Sequence, residues 1–232
     1  MSTLPQYSPD HRWWWDGSRW LQAPRPGMLW FLKAPDWLTP VILMSLIGLI
    51  PAFGLLFSIG WLLAARDNLR SGDWRVPPAS FHYWRRGVYF FFTFIFYTFG
   101  WFVLAILLFT LAGLLGKTGH SPAGFDVFAL LVILLLLALA AFFCYTFGAV
   151  IAISDARGIW ATFNLRLVWR TASGSSSASW RFLGAYLLGG LALAAISTFL
   201  PVIGAVIALL LASAVYLATA PALADIKFPG QP

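Results

Sequence analysis

Residues 125–154 read FDVFALLVILLLLALAAFFCYTFGAVIAIS, thirty residues with one charge, Asp126, near the start. A helix needs about 20 predominantly apolar residues to cross a hydrocarbon core of about 30 Å. Lipid offers no hydrogen-bonding partner to the backbone, so a spanning segment is a helix or part of a closed barrel. Barrel strands alternate polar and apolar residues, and this segment does not. It reads as a transmembrane helix and sets the fold class: an all-α, polytopic helical membrane bundle.

Working towards the N-terminus, residues 117–124 form a short connection and residues 87–116 a second, Phe-rich apolar run. A basic loop precedes it at residues 66–86, with Arg66, Arg70, Arg75, Arg85 and Arg86, interrupted by Pro77-Pro78. Its Phe81-His82-Tyr83-Trp84 end is an aromatic belt of the kind found at membrane edges. Residues 38–65 are again apolar but contain Pro51 and Gly54. Towards the C-terminus, Asp155-Ala156-Arg157 closes the run, and residues 158–181 form a second basic loop with Arg166, Arg170 and Arg181. A weakly amphipathic interfacial helix is expected over 159–170, followed by a flexible Ser-rich stretch at 173–179. Residues 182–222 are long enough for two spans, with a tight turn at Leu200-Pro201.

Composition agrees. Of 232 residues, 60% are hydrophobic and 10% charged, and the mean hydropathy is +0.81. Soluble domains carry about 25% charged residues. The net charge is +7, from fifteen Lys and Arg against eight acidic residues, all of them Asp. The arginines flank apolar runs, which is the pattern of the positive-inside rule and of attraction to anionic headgroups. No nucleic-acid motif is interleaved with them, so nucleic acid is not an expected partner.

Loop charge orients the chain. With both basic loops in the cytoplasm, the connection at 117–124 and the Pro201 turn lie outside and the C-terminus inside. Residues 38–65 are either one long tilted span or a hairpin folded at Pro51. The hairpin keeps Arg12, Arg19, Arg25 and Lys33 inside, and Leu49-Ile50-Pro51 has a counterpart at Leu200-Pro201. Six membrane segments with both termini inside are therefore expected; five, with the N-terminus outside, is the alternative. The domains are a leader at 1–33, a multi-pass domain at 34–224 and a tail at 225–232. The leader is polar with no apolar core, so no cleavable signal peptide is expected.

The leader contains Trp13-Trp14-Trp15-Asp16-Gly17-Ser18-Arg19-Trp20. Asp-Gly between aromatic flanks is a hairpin signal, because both turn positions need positive φ, so a small N-terminal β-hairpin is expected. Trp13, Trp14, Trp15 and Trp20 are candidate contacts for a protein partner or for headgroups. Pro24, Pro26 and Gly27 then break the chain before Met28-Leu29-Trp30-Phe31, which looks interfacial. Arg66, Arg70, Arg85, Arg86, Arg166 and Arg170 are the candidate headgroup contacts.

Intramembrane catalysis needs a nucleophile with a base, paired carboxylates or metal ligands. His11, His82 and His120 lie outside the apolar runs, in no zinc pattern. Asp67 and Asp155 stand beside arginines and are expected to form ion pairs at the cytoplasmic edge. Cys144 is a lone thiol in an apolar run and is expected to be buried and inert. No catalytic, cofactor or metal site is expected, and the chain does not read as an enzyme. A lipid-modifying enzyme would instead need a pocket joining Arg85, Arg86, Asp155, Arg166 and Arg170. A small-solute permease is the alternative, with Thr93, Tyr97, Thr98, Thr110, Tyr145, Thr146, Ser213, Tyr216 and Thr219 along a path. Otherwise these hydroxyls bond backbone or neighbouring helices. Gly184, Gly189 and Gly190 give residues 182–222 a small-residue surface for packing within the protein or for a homo-oligomer.

The stretch Leu49-Ile50-Pro51, Gly60-Trp61-Leu62, Arg66, Arg70-Ser71-Gly72, Val76-Pro77-Pro78 and Trp84-Arg85-Arg86-Gly87 resembles an uncharacterised prokaryotic multi-pass membrane family, a domain of unknown function. Its pattern is an Ile-Pro turn, a Gly-aromatic helix, an Arg-rich exit, a Gly, a Leu-Pro and a Gly opening the next helix; Val76-Pro77 stands here for Leu-Pro. The leader resembles a short bacterial Trp-rich module with an Arg-Tyr-Trp-Asp-Gly-x-x-Trp core, which often precedes membrane segments. These resemblances imply a prokaryotic inner-membrane protein and supply no catalytic residue. The expected role is a non-enzymatic scaffold or accessory protein.

Overall fold

The computed structural model describes residues 6–7, 13–15, 20–22, 27–34, 36–50, 53–118, 122–199 and 202–228, with backbone alone for 6–22, 112 and 115–129. Helices dominate: α1 Leu38–Gly48, α2 Gly54–Arg70, α3 Trp84–Thr118, α4 Pro122–Arg157, α5 Ile159–Thr162, α6 Leu165–Gly174, α7 Ser176–Phe199, α8 Ile203–Leu210 and α9 Ala214–Ala224. Three short strands pair antiparallel near the N-terminus: β1 Gln6–Tyr7, β2 Trp13–Trp15 and β3 Trp20–Gln22. Their register sets Trp15 opposite Trp20 and Trp14 opposite Leu21. The Asp16-Gly17 turn lies outside the described residues, as do Pro51, Pro201 and the connection at 119–121.

Among the described residues, four helical stretches are long and apolar enough to cross a membrane: Phe81–Leu111, Leu130–Arg157, Ser176–Phe199 and Ile203–Ala224. The chain reads as a membrane protein on that basis. Four is fewer than the six segments expected, and the difference lies in residues 38–65. These form neither one span nor two full ones. The helix stops at Gly48 and restarts at Gly54. At 1.5 Å per residue α1 is only about 16 Å long and α2 about 25 Å, and α2 carries Arg66, Asp67 and Arg70 in its last turns. The two arms fold back on each other. A Cβ on Gly48 would sit 3.6 Å from Ser58 Oγ, and one on Gly54 would collide with the Gly48 backbone.

The end of α2 is fixed by local chemistry. Gly72 takes φ +78°, the Asp73 N–H bonds Asn68 C=O at 2.9 Å and the Gly72 N–H bonds Leu69 C=O at 3.3 Å. That is a Schellman cap, which uses a left-handed residue to satisfy the last carbonyls. The loop then runs back along α2, where buried Trp61 Nε1 donates to Pro77 C=O at 2.9 Å. At the α2–α3 crossing, a Cβ on Gly60 would strike Tyr83 C=O and one on Gly87 would strike Leu56 C=O. Helix backbones in a membrane approach this closely only where side chains are absent.

One end of the bundle is packed. Ile59, Trp61, Leu62 and Leu63 of α2, Phe90 of α3, Ile151 and Ile153 of α4, and Leu217 and Leu223 of α9 are buried together. The other end exposes its apolar residues, including Phe99, Phe102, Leu107, Leu131, Leu137, Leu187, Leu191 and Ile203, as lipid-facing helices do. Along α7, a Cβ on Gly189 would come within 3.1 Å of the Val215 methyls of α9, so the glycine admits that contact, while Gly184 and Gly190 face open space.

Two expectations need correction. Met28-Leu29-Trp30-Phe31 is not a simple interfacial segment: Trp30 and Phe31 are buried, in a 3-10 turn Trp30–Lys33, and Trp30 Nε1 donates to Leu217 C=O at 2.9 Å. That carbonyl is available because its i+4 residue is Pro221, inside α9, which has no N–H to donate. Residues 173–179 are not a flexible linker but the helical junction of α6 and α7. Ser179 Oγ donates to Ala172 C=O at 3.1 Å, and Ser175 Oγ accepts the Lys227 N–H at 2.9 Å. A second polar splice joins α1 to the α8–α9 break: Ser45 Oγ accepts the Ser213 N–H at 3.0 Å, and Ser213 Oγ donates to Val41 C=O at 2.7 Å.

Gly87→Ala is expected to lower unfolding stability in detergent micelles by about 1–3 kcal/mol through overpacking. Gly100→Ala, where a Cβ meets nothing within 4 Å, is the control and should stay within about 0.5 kcal/mol of wild type.

Candidate functional site

The packed end gathers most of the charge of the described bundle. Arg66 donates through Nε and Nη2 to Asp67 Oδ1 at 2.9 and 2.7 Å, and through Nη2 to Asp155 Oδ2 at 2.8 Å. Arg86 donates through Nη1 to Asp67 Oδ2 at 2.7 Å, and through Nε and Nη2 to Asp155 Oδ1 and Oδ2 at 3.2 and 2.8 Å. The four residues close a neutral ring that links α2, α3 and α4. Arg66 is 5% exposed. Taking charges from water costs several kcal/mol per ion, repaid only where geometry is good and the remaining polar atoms are satisfied. Here each carboxylate faces both guanidiniums.

The Asp67 carboxyl is held below its usual range. Burial pushes it up, and the adjacent Arg66 and Arg86 guanidiniums outweigh that. Around the ring, Arg70 donates to the last carbonyls of the α9 end, Ala224 at 3.0 Å and Ile226 at 3.0 Å, a favourable place for a cation at a helix C-terminus. Arg181 pairs with Asp225 at 2.7 Å, tying α7 to the same end. Arg157 does not pair with Asp155. Its guanidinium lies 5.6 Å from the Phe228 ring centre.

The candidate headgroup cations therefore separate. Arg66 and Arg86 are committed to the ring and Arg70 to α9, whereas Arg85, Arg166 and Arg170 are exposed. Arg85 lies 5.9 Å from the Trp84 ring centre. Arg166 and Arg170 sit on α6, which buries Val168, Thr171 and Ala172 and exposes Leu165 and Trp169. Trp160, Phe163 and Trp180 are also exposed nearby. Trp169 stacks on Phe142 at 5.8 Å and Tyr145 packs against Trp180 at 5.1 Å. The expected interfacial helix is thus two helices, α5 and α6, with a marked apolar-and-basic face. Arg166 and Arg170 are not brought into the ring by any ion pair among the described residues. Trp13, Trp14, Trp15 and Trp20 lie on β2 and β3, where only backbone is described.

The hydroxyls are used for packing. Thr93 Oγ1 donates to Tyr89 C=O at 2.8 Å, Tyr97 OH to Thr162 C=O at 2.7 Å, Tyr145 OH to Ala172 C=O at 3.3 Å, Thr146 Oγ1 to Phe142 C=O at 2.9 Å and Thr219 Oγ1 to Tyr216 C=O at 2.8 Å. Ser80 Oγ lies 2.7 Å from His82 Nδ1 but also accepts the His82 N–H, so it caps the 3-10 turn Phe81–Tyr83. Among the described residues no three His, Cys, Asp or Glu side chains group as metal ligands. Cys144 is not buried as expected but exposed on the apolar face of α4.

Comparison with known proteins finds no matching family model, curated protein or solved structure.

A carboxyl whose folded pKa is lowered adds stability that is present above its unfolded value and lost as pH falls through the folded value. Thermal unfolding in detergent should therefore show an acid-side loss below about pH 4 to which Asp67 contributes. In Asp67→Asn that loss should shrink, while neutral-pH stability drops. An unchanged acid limb would remove Asp67 from the ring's energetics.

Proposed function

We propose that the chain is a non-enzymatic scaffold or accessory protein of a prokaryotic inner membrane, with its charged end and Trp-rich leader in the cytoplasm. One observation carries this reading: the intrahelical acids closest to possible chemistry, Asp67 and Asp155, are each paired with the same two guanidiniums, so neither of these two is free for acid–base work. A permease-like pore, the second reading, would set hydroxyls along a wet path. The hydroxyls above bond backbone instead, and the space between α2, α3, α4 and α9 holds buried apolar side chains.

The placement in the bilayer follows the aromatic residues. Tyr97 and Phe143 pack at 5.6 Å, and Tyr145 and Trp180 at 5.1 Å, forming a collar with Trp160 and Trp169. From that collar to the far tips, α3 (97–118), α4 (122–145) and α7 (180–199) run about 32, 35 and 29 Å at 1.5 Å per residue. All are close to the roughly 30 Å hydrocarbon thickness. The collar then sits in the headgroup region, where Trp and Tyr concentrate, with Arg166 and Arg170 available to anionic lipids. The α1–α2 hairpin enters and leaves on the charged side without crossing. This keeps an even number of crossings and both termini inside, in place of the five-span arrangement. The two weak resemblances fit the same picture.

Reporter fusions active only in the cytoplasm or only outside test this directly. Cytoplasmic activity at both ends is expected. An external N-terminus would overturn both the α1–α2 assignment and a cytoplasmic role for the leader.

A further inference from the structure

Where the leader joins the bundle, the Trp30–Lys33 turn meets the loop that follows α2. Trp30, Lys33, Ala34, Asp73, Trp74 and Arg75 line a cleft of about 260 Å³ there. We infer that this cleft binds the phosphate of an anionic phospholipid, with Lys33 and Arg75 as the phosphate ligands and Trp30 and Trp74 as walls.

Four observations converge. First, Lys33 and Arg75 are exposed cations, and among the described residues neither side chain forms an ion pair. That sets them apart from Arg66, Arg86 and Arg181, whose charge is already matched. Second, the acid in the cleft is partly occupied: Asp73 Oδ1 accepts the Arg75 N–H at 3.0 Å, which pins the loop. Two cations against one carboxylate leave the cleft net positive. Third, the walls are fixed. The Trp30 indole is held by its bond to Leu217 C=O, and the loop is held by Asn68 Nδ2 donating to Arg75 C=O at 3.0 Å and by Trp61 bonding Pro77 C=O. Fourth, Leu29 and Leu32, the sequence neighbours of Trp30 and Lys33, are exposed. An amphiphile whose phosphate met Lys33 and Arg75 would have these exposed leucines of the same turn for its acyl chains. A free phosphate would use the cations and leave the leucines bare.

The size also discriminates. Pockets for drug-sized ligands run about 300–1,000 Å³, so this cleft suits a phosphate and a small polar headgroup rather than a larger soluble molecule. Lys supplies a point charge and Arg a planar donor fork, both suited to phosphate oxygens. The inference rests on the membrane placement proposed above. The two fail separately, because the fusions read topology and the following assay reads binding in purified protein.

The full-length protein in a neutral detergent would be titrated with short-chain phosphatidylglycerol, short-chain phosphatidylcholine or inorganic phosphate, with thermal stability and native mass spectrometry as readouts. Stabilisation and retained adducts with phosphatidylglycerol are expected, with binding at least about tenfold weaker in Lys33→Gln/Arg75→Gln, since charge-assisted bonds are the strong ones. Arg157→Gln, which alters an exposed cation outside the cleft that lies against Phe228, should bind like wild type. Lys33→Arg/Arg75→Lys should also retain binding, which separates lost charge from lost folding. Stabilisation by inorganic phosphate that equals phosphatidylglycerol and is lost in the Gln pair would keep the anion site and assign it to free phosphate. Equal response to phosphatidylcholine, or phosphatidylglycerol binding unchanged in Lys33→Gln/Arg75→Gln, would overturn the inference.

Discussion

Two guanidiniums and two carboxylates closed into a ring set the terms for the rest of the bundle. Each charge would be costly in its half-buried place alone, so the four side chains must arrive together. Arg66 and Asp67 come with α2, Arg86 with the start of α3 and Asp155 with the end of α4. Once they meet, the α1–α2 and α3–α4 hairpins are joined at their bases. Arg181–Asp225 and the Arg70 bonds to the α9 end bring in the last hairpin at the same end. The glycine contacts at the α2–α3 crossing are the steric counterpart, because Gly60 and Gly87 allow the approach that carries Arg86 to Asp67.

With the bases fixed, the helices need little from each other further out. The apolar faces of α3 and α4 beyond the collar are exposed. They need no protein partner to be stable, since lipid is as apolar a solvent as a neighbouring leucine. A core packed by protein at one end and helices with exposed apolar faces at the other are compatible in one chain, because polar groups meet their partners near the base.

Much of this was legible in the sequence. The apolar length of residues 125–154, with its single charge at Asp126, was enough for a helical membrane protein, and Pro51 with Gly54 marked the interruption in 38–65. Pairing of Asp67 and Asp155 with arginines was also legible, but not the partner of Asp155. Arg157 is two residues away along α4, and i, i+2 side chains of a helix do not face each other, so Asp155 turns to Arg66 and Arg86 across the bundle. Trp30 looked interfacial because its segment is short and aromatic. The signal that could have located it was Pro221, whose missing N–H leaves Leu217 C=O unpaired. The Ser-rich junction at 173–179 has a linker's composition, yet its hydroxyls find tertiary partners that composition cannot register. Of the six segments expected, four are long enough to cross among the described residues: residues 38–65 hold enough apolar residues for one crossing, and a fold in the middle leaves each arm short.

The claim that the ring holds the hairpins together is tested most directly by a double-mutant cycle on Arg66→Met and Asp155→Leu, read by unfolding in bicelles. Coupled residues of a buried network show interaction energies of about 0.5–3 kcal/mol. A value near the upper end is expected, with the double variant more stable than the sum of the single losses allows, because each single change strands a buried charge. Strictly additive losses would contradict the ring's structural role and leave the helix ends to be held by apolar packing alone.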